Sequence, residues 1–460
     1  MAFSSTPTFC FTFTFTFLFT TLTTTSLQLG NSQPILNSVE QESVYQVLES
    51  LNSNISWRSL FPDDLCLSGP HGVVCDYITI TQTLHIVELN FGVVSDFDPN
   101  PTCTPNSTLP DPVLFSNFPH LRKLFFYQCF THKPVSLPDF YRVGSGFEEL
   151  VFIDNPGLFG SLSDNFGGMK SLRRLIITGS NVSGEIPVGF GELINLEEAT
   201  LSRNGFTGVL PGNLSKLEKL KILDFSQNGF TGKVPGSIDG LKNLLKIDLS
   251  YNKFSGEIPA KMEGLRGLEF LDLSYNRFVG CGVPLFLGNM SKLKGVYLSG
   301  NELGGVIPDI WENLRGINGI GLSGVGLIGV IPTSMGAYLG NLSYLALDNN
   351  NLIGEVPKEF EKLGMLNELD LSNNSLSGKL PFSKEFMVKV GKKLKVEGNL
   401  ELCMDEGVIK SFNKVSGYLG QVKVCSKIED PRYAFLYGTS SSTRNSGHVY
   451  CLLVLFILLL

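Results

Sequence analysis

The chain has 460 residues, of which 43% are hydrophobic and 17% are charged, and its formal net charge is −7 at pH 7. This composition is typical of a globular protein, and the 49 glycines indicate many turns. The mild excess of acidic residues argues against nucleic acid and anionic membrane surfaces as partners, because proteins bind both through basic patches.

The first thirty residues predict a secretory signal peptide. Residues 9–22 are rich in phenylalanine, no charged side chain occurs in this stretch, and small polar residues follow it. An apolar segment at this place is typical of an export signal, although the usual basic residue near the start is missing. We expect a signal peptide over residues 1–28, and secretion would permit disulfides and N-glycans.

Residues 29–117 are predicted to form an N-terminal cap with a short helix and a proline-rich loop. The helix is expected from Ser38 to Leu51, where Ser38 and Gln41 have the spacing of a capping box. Apolar residues three or four apart would share one face of this helix: Val44, Val47, Leu48 and Leu51.

A repeat of 24 or 25 residues organises residues 118–382. Prolines recur at this step, at Pro187, Pro211, Pro235, Pro259, Pro284, Pro308, Pro332, Pro357 and Pro381. Asparagines recur in phase with them, at Asn204, Asn228, Asn252, Asn276, Asn301, Asn350 and Asn374. The pattern L-x-x-L-x-L-x-x-N-x-L is that of a leucine-rich repeat, and it predicts about eleven rungs.

The residue types of the repeat explain the expected structure. The leucines alternate into the core of a short strand, so each repeat adds one strand to a parallel sheet. The asparagine amide lies where the strand turns away, and it can bond backbone groups that would otherwise remain unpaired. Since one repeat cannot bury its apolar face alone, the array must be stacked and capped at both ends.

The segments that follow the asparagines, such as SGEIP, TGKVP and IGEVP, resemble the plant-specific extracellular subclass of these repeats. Trp57, Cys66 and the HGVVC segment ending at Cys75 resemble the cysteine-paired N-terminal cap of plant receptor ectodomains. EGNLELC, which ends at Cys403, and the later Cys425 resemble the matching C-terminal cap. The resemblance implies disulfides between the two cysteines of each cap.

The resemblance covers roughly residues 36–426, with a C-terminal cap over residues 383–430. The layout is similar to that of small plant receptor-like proteins of the Piriformospora indica-insensitive type. The fold class we predict is an α/β solenoid: a right-handed leucine-rich-repeat horseshoe with a parallel concave sheet and disulfide-bonded N- and C-terminal caps.

Three further cysteines need separate treatment. Cys129 occupies the asparagine position of its repeat, and Cys103 lies in the proline-rich loop before it. We predict a bridge between them, with a buried thiol at Cys129 as the alternative. Cys281 lies six rungs from Cys129 and five from Cys403, beyond disulfide reach. We expect Cys281 to be free, with pairing to another molecule as the alternative.

Catalysis finds no support in the sequence. The five histidines lie outside the regular repeats, and GIGLSG matches a dinucleotide fingerprint only by chance, because Ile320 and Leu322 are inward strand residues. Four aspartates share one outward strand position and are expected to bond neighbouring hydroxyls: Asp224, Asp248, Asp272 and Asp370. We predict that the protein is not an enzyme and uses neither a cofactor nor a metal.

The concave face is the predicted binding surface, because it displays rigidly spaced side chains and because aromatic and arginine residues are favoured anchors. The candidate residues are Arg174, Arg203, Lys246, Tyr251, Phe270, Asp272, Tyr275, Tyr297 and Tyr344. The alternative is that the tyrosines after LDLS are consensus filler. The sequence also contains seven N-glycosylation acceptor sites: Asn54, Asn106, Asn181, Asn213, Asn289, Asn341 and Asn373.

The end of the chain predicts a membrane attachment. Small residues around Ser440, a polar linker over residues 431–448 and the apolar residues 449–460 have the order of a GPI-attachment signal. A short transmembrane anchor is the alternative. As a helix the apolar run would reach only about 18 Å, less than the ~30 Å hydrocarbon core.

These features predict a cell-surface receptor-like protein or co-receptor without its own kinase. Its expected partners are a peptide or glycan ligand and a membrane-spanning receptor kinase, and the resemblance implies a role in plant defence or symbiosis. The alternative is a soluble apoplastic inhibitor of a microbial cell-wall-degrading enzyme, similar to the polygalacturonase-inhibiting proteins.

Overall fold

The computed structural model describes residues 34–92, 100–109, 116–138, 146–415 and 422–425. The predicted signal peptide, the polar linker with Ser440 and the apolar residues 449–460 lie outside these ranges. Within them, no helix is long and apolar enough to span a membrane.

A sheet of 14 strands runs along the described chain. Its first two strands, Val73–Ile78 and Thr83–Phe91, are antiparallel. Each later strand is added parallel to the one before it, which produces a solenoid. These strands are Lys123–Tyr127, Glu149–Ile153, Arg174–Thr178, Glu198–Thr200, Ile222–Asp224, Lys246–Asp248, Phe270–Asp272, Gly295–Tyr297, Gly319–Gly321, Tyr344–Ala346, Glu368–Asp370 and Leu394–Lys395. We call each repeat with its strand a rung.

The core of each rung follows the leucine pattern. In the rung of Lys246–Asp248, Leu244, Ile247 and Leu249 are fully buried, while the alternating residues face outward. Asn252 is buried at the end of the strand, and its amide bonds the backbone of its own and the preceding rung. The structure is therefore the predicted leucine-rich-repeat horseshoe with a parallel concave sheet.

Short strands continue the rungs beyond the asparagine positions. They are Val135–Ser136, Leu158–Gly160, Asn181–Gly184, Gly205–Phe206, Thr231–Gly232, Lys253–Gly256, Arg277–Phe278, Ile328–Gly329, Asn351–Gly354, Ser375–Lys379, Glu401–Met404 and Lys423–Val424. Most rungs then return through a helical turn that a proline precedes, as Pro235 precedes Gly236–Gly240. The return turns are Asp164–Gly168, Val188–Glu192, Gly212–Lys216, Gly236–Gly240, Ala260–Gly264, Leu285–Asn289, Trp311–Asn313, Thr333–Tyr338 and Lys358–Lys362.

The N-terminal cap begins with the helix Ser38–Leu51, which has the predicted bounds and buries the predicted apolar face. The predicted capping box is wrong, because Asn37 is the N-cap and its side chain accepts from the Val39 N–H. Gln41 instead bonds the loop around residues 63–65. Two short helices follow, Trp57–Leu60 and Leu65–Ser68.

The C-terminal cap contains the helices Lys384–Val390 and Glu406–Val415 and the short turn Gly391–Lys393. Three disulfides join the pairs named from the sequence: Cys66–Cys75, Cys103–Cys129 and Cys403–Cys425. Cys281 is also disulfide-bonded, so the expectation of a free thiol is wrong. The argument from rung spacing excluded only Cys129 and Cys403 as its partners.

Candidate binding surface on the concave sheet

Outward side chains form columns across the concave sheet, because the parallel strands pair in register. Lys246 lies opposite Phe270, and Asp248 lies opposite Asp224 on one side and Asp272 on the other. Ligand-accessible groups of neighbouring rungs are therefore about 4.8 Å apart along the sheet.

The acidic column consists of Asp224, Asp248 and Asp272. Each carboxylate accepts bonds from the hydroxyl and the backbone N–H of the serine two residues later, as Asp248 does from Ser250 at 2.7 and 3.2 Å. Burial raises the pKa of Asp248 and of Asp272 above the ordinary value. The bonds from the serine hydroxyls confirm the sequence interpretation that these aspartates bond neighbouring hydroxyls.

Lys246 is the cation of this surface. Its Nζ lies 2.8 Å from Asp224 Oδ2, 3.7 Å from Asp248 Oδ2 and 5.5 Å from the centroid of the Phe270 ring. Burial alone would lower the pKa of Lys246, but the hydrogen bond and the negative charges of the two aspartates raise it overall. Lys246 therefore stays charged, and it neutralises one carboxylate of the column.

An aromatic row, Phe270, Tyr297 and Tyr344, crosses the next rungs. The Phe270 and Tyr297 ring centroids are 5.4 Å apart, and those of Tyr297 and Tyr344 are 6.2 Å apart. The row lies over glycines: a Cβ at Gly319 would come within 2.2 Å of the Tyr297 hydroxyl, and one at Gly295 within 3.0 Å of the Tyr297 ring. The glycines thus make room for Tyr297 to lie across the sheet.

Tyr251 and Tyr275 form a second aromatic pair at the edge of the concave face. Their rings stack with centroids 4.3 Å apart and an interplanar angle of 19°. The side chains are 52% and 49% exposed, so the pair is not part of the core. Both residues have a φ of 53°, which directs the chain into the turn before the buried asparagine.

The structure brings seven of the nine candidate residues together and places two elsewhere. Arg174 lies nearer the N-terminal cap and bonds Glu198 at 3.0 Å and Glu149 at 3.3 Å. Arg203 bonds Asp154 at 2.8 Å. Arg174 is therefore paired with a carboxylate of the rung on each side, and Arg203 is paired with one carboxylate two rungs away.

The predicted glycosylation acceptors lie at several places on the described chain. Six of the seven are exposed: Asn54, Asn106, Asn181, Asn289, Asn341 and Asn373. Asn213 is half-buried, and its amide donates to the Val188 carbonyl at 2.8 Å. None of the seven lies in a strand of the central concave rungs, from Lys246–Asp248 to Gly295–Tyr297.

Sequence reasoning missed the glycines under the aromatic row and two basic residues beside the tyrosine pair, Lys253 and Arg277. The signal for the glycines was present, because Gly295, Gly319 and Gly321 replace outward side chains in adjacent repeats. The basic residues follow the asparagines, where the repeat pattern specifies no side chain.

The repeats match models of the leucine-rich-repeat family. One, described as "Leucine rich repeat", matches residues 194–254 and 235–278. The other, "Leucine Rich Repeat", matches residues 267–290, 292–314, 341–363 and 365–384. The fold is that of a leucine-rich-repeat solenoid, and these matches show leucine-rich repeats within residues 194–384.

The chain is also similar to two proteins of Arabidopsis thaliana. Receptor like protein 29 is 33% identical over 147 residues, which cover 30% of this chain and 29% of the relative. Piriformospora indica-insensitive protein 2 is 34% identical over 142 residues, which cover 30% of this chain and 32% of the relative. The chain therefore matches less than a third of the length of these relatives.

A solved structure has the same fold. The crystal structure of PEPR1–AtPEP1 has a TM-score of 0.60 and 21% identity, and the match covers 82% of this chain and 54% of that one. This structure shows the shared fold, and the two relatives confirm the resemblance to plant leucine-rich-repeat receptor-like proteins.

Proposed function

We propose that the chain is a cell-surface receptor-like protein or co-receptor that recognises a ligand or a partner ectodomain on its concave face. The observation that carries this proposal is the half-exposed aromatic row on a rigid parallel sheet. Phe270, Tyr297 and Tyr344 are held in place by neighbouring rings and a glycine floor. Rings fixed in this way lose little conformational entropy when a partner binds.

The charge beside the aromatic row indicates what kind of group would bind there. Three carboxylates, of Asp224, Asp248 and Asp272, face one ammonium group, that of Lys246. When all are ionised, this part of the surface is negative by two charges. A ligand that places a cationic group beside an apolar one is complementary to it.

A role in plant defence or symbiosis, through a membrane-spanning receptor kinase as partner, is part of the proposal. Its support is the resemblance to relatives named as receptor-like and Piriformospora indica-insensitive proteins. The attachment of a lipid near Ser440 belongs to the same proposal. N-glycans on the seven acceptors would leave the central concave rungs open, and mass-spectrometric glycan mapping tests this.

A binding experiment tests the recognition function. The purified chain is screened against secreted plant peptides and cell-wall oligosaccharides, and any ligand found is titrated against Phe270→Ala and Tyr297→Ala. Each substitution should weaken binding by about tenfold or more if the ring is an anchor. The matched control is Leu285→Ala, which removes a 71% exposed side chain from a return turn. Equal effects of all three substitutions would contradict the proposed site.

A release experiment tests the attachment. Intact plant cells that express the chain are treated with a phospholipase that cleaves GPI anchors, and the protein should then enter the medium. Retention on treated cells would contradict the lipid anchor. Accumulation in the medium without treatment, together with inhibition of a polygalacturonase, would instead favour the soluble inhibitor.

A further inference from the structure

Two tyrosines and two basic residues lie side by side at the edge of the concave face, and we call them the rim patch: Tyr251, Lys253, Tyr275 and Arg277. All four are exposed. The tyrosine rings stack face to face on each other and are 52% and 49% exposed, so they present accessible surface as a pair. These aromatic and cationic side chains are therefore accessible to a partner.

The backbone repeats the same unit in two adjacent rungs. Each unit is a tyrosine, the buried asparagine and a basic residue: Tyr251 to Lys253 in one rung and Tyr275 to Arg277 in the next. The Asn252 N–H donates to the Tyr275 carbonyl at 3.2 Å, which keeps the two units in register. One aromatic and one cationic residue therefore occur in each of the two rungs, and strand pairing places Arg277 opposite Ser255, two residues beyond Lys253.

The cations of the rim patch differ from other basic residues of the same region. Lys221 and Lys294 form ion pairs with Glu197 and Glu269, whereas neither Lys253 nor Arg277 forms one with any acidic residue in the described ranges. Within the part of the chain that the structure describes, no ion pair neutralises their charges.

The rim patch is bounded on both sides. Gly229 takes the place of the basic residue in the preceding rung, and Glu302 takes it in the following one. The nearby carboxylate of Asp272 belongs to the concave column, where it is bonded to Ser274. The patch is thus a two-rung cationic and aromatic surface beside an acidic one.

We propose that the rim patch binds an acidic polysaccharide chain whose units each carry a sugar ring and a carboxylate, such as a polyuronide. The C–H face of a sugar ring packs on an aromatic ring, and a carboxylate accepts charge-assisted bonds from lysine and, in a bidentate way, from arginine. A polymer that carries both groups matches a surface on which an exposed aromatic pair and two cations occur in adjacent rungs.

This polymer would occupy a site separate from the one proposed for the concave ligand. The acidic column repels a polyanion, so the chain of sugars would run along the rim and leave Lys246, Phe270 and Tyr297 free. An acidic peptide would satisfy the two cations, but its backbone does not present the apolar C–H face of a sugar ring. The protein would in this way be attached to an acidic matrix while its concave face remains open.

The experiment measures binding of the purified chain to three probes: a linear galacturonan, its methyl ester and polyglutamate. We expect the galacturonan to bind, the neutral ester to bind at least about tenfold more weakly, and added salt to weaken galacturonan binding. Equal affinity for polyglutamate would overturn the proposal in favour of an acidic peptide. Absence of galacturonan binding at low salt would also overturn it.

Two double variants locate the site. Lys253→Ala with Arg277→Ala, and Tyr251→Ala with Tyr275→Ala, should each weaken galacturonan binding by about tenfold or more. The control is Arg266→Ala with Lys292→Ala, which removes two exposed charges that precede the strands of neighbouring rungs. A control loss as large as that of the first variant would mean non-specific charge attraction and would overturn the proposal.

Two further readouts separate this proposal from misfolding and from the concave site. Circular dichroism and thermal unfolding should be unchanged in the variants, because all the substituted side chains are exposed. The rim variants should still bind a concave ligand although they no longer bind galacturonan. Binding of that ligand should still be weakened by Phe270→Ala and Tyr297→Ala. Failure of the rim proposal would therefore leave the proposed recognition function standing.

Discussion

Replacing Asn252 by alanine tests how the buried asparagines hold the rungs together. The Asn252 amide donates to the carbonyls of Phe225, Leu249 and Ser250, at 2.9 to 3.1 Å, and its oxygen accepts from the Phe230 N–H at 3.0 Å. A count of these four bonds predicts a large loss of stability for Asn252→Ala.

The loss of stability should be smaller than this count suggests, because each of the three carbonyls also accepts a hydrogen bond from a second donor. Asn228 also donates to the Phe225 carbonyl, and Asn276 also donates to the Leu249 carbonyl. The carbonyl of Ser250 still accepts from the Gln227 N–H. Only the buried Phe230 N–H loses its partner, which corresponds to about 1–3 kcal/mol.

Asn252 and Asn276 share the Leu249 carbonyl, so the loss of stability in the double variant should exceed the sum of the two single losses. Asn276→Ala alone leaves the Phe254 N–H without its acceptor. With Asn252→Ala and Asn276→Ala together, the Leu249 carbonyl loses both amide donors as well. The double variant should therefore lose about 1–3 kcal/mol more than the sum of the two single variants.

Urea unfolding followed by circular dichroism measures these losses. Hydrogen exchange at the Phe230 amide reports the local effect, since a repeat array need not unfold in one step. The control is Asn243→Ala, where an exposed amide donates to the Glu218 carbonyl and water can replace it. We expect that control to stay within about 0.5 kcal/mol of the unsubstituted chain. Additive losses in the double variant, within about 0.5 kcal/mol, would refute the reasoning.

Two further predictions concern backbone crowding and pH. Gly304 and Gly305 have φ values of 58° and 61°, but a Cβ at Gly305 would lie 2.1 Å from the Cys281 backbone, whereas one at Gly304 would meet nothing within 4 Å. Gly304→Ala should therefore lower the free energy of unfolding by about 1–2 kcal/mol, because alanine disfavours the left-handed backbone. Gly305→Ala should lower it clearly more, and equal melting temperatures of the two variants would contradict this. Burial raises the pKa of the Asp248 carboxyl above 3.8. The folded chain therefore binds a proton at Asp248 more tightly than the unfolded chain does, and the ionised carboxylate destabilises the fold at neutral pH. Asp248→Asn should raise the melting temperature at neutral pH, and the gain should shrink as the pH falls through the raised pKa towards 3.8; a gain that does not change with pH would count against burial as the cause.

The repeat period accounts for most of what the sequence could predict. A period of 24 or 25 residues fixes which residues face the core, so the strands, the buried leucines and the bonding role of Asn252 follow from it. The repeat pattern did not predict the same role for Asn155 and Asn399, because both lie outside the run of in-phase prolines. Each nevertheless bonds the backbone as Asn252 does.

Contacts between distant side chains could not be predicted in this way. The buried pair of Glu40 and His85 joins the cap helix to the first long strand across 45 residues, and no periodicity relates the two positions. The sequence predicted the residues of the aromatic row but not how their rings lie. The Tyr297 ring lies across the sheet only because Gly295 and Gly319 have no side chains. The rim patch depends on strand register beyond the asparagines, which only the structure supplies.

The row of buried asparagines is interrupted at two places, Ser180 and Val325. Ser180 has a buried hydroxyl without a hydrogen-bond partner in the described structure, and valine has no amide to offer. Five asparagines in unbroken succession join the rungs between these two places: Asn204, Asn228, Asn252, Asn276 and Asn301. The Val325 rung lacks the amide bonds that an asparagine would make to the preceding rung, while Asn350 of the following rung still bonds it. Tyr297 and Tyr344 lie on opposite sides of this interruption, so we expect the distance between these two rings to change more readily on binding than distances within the asparagine run.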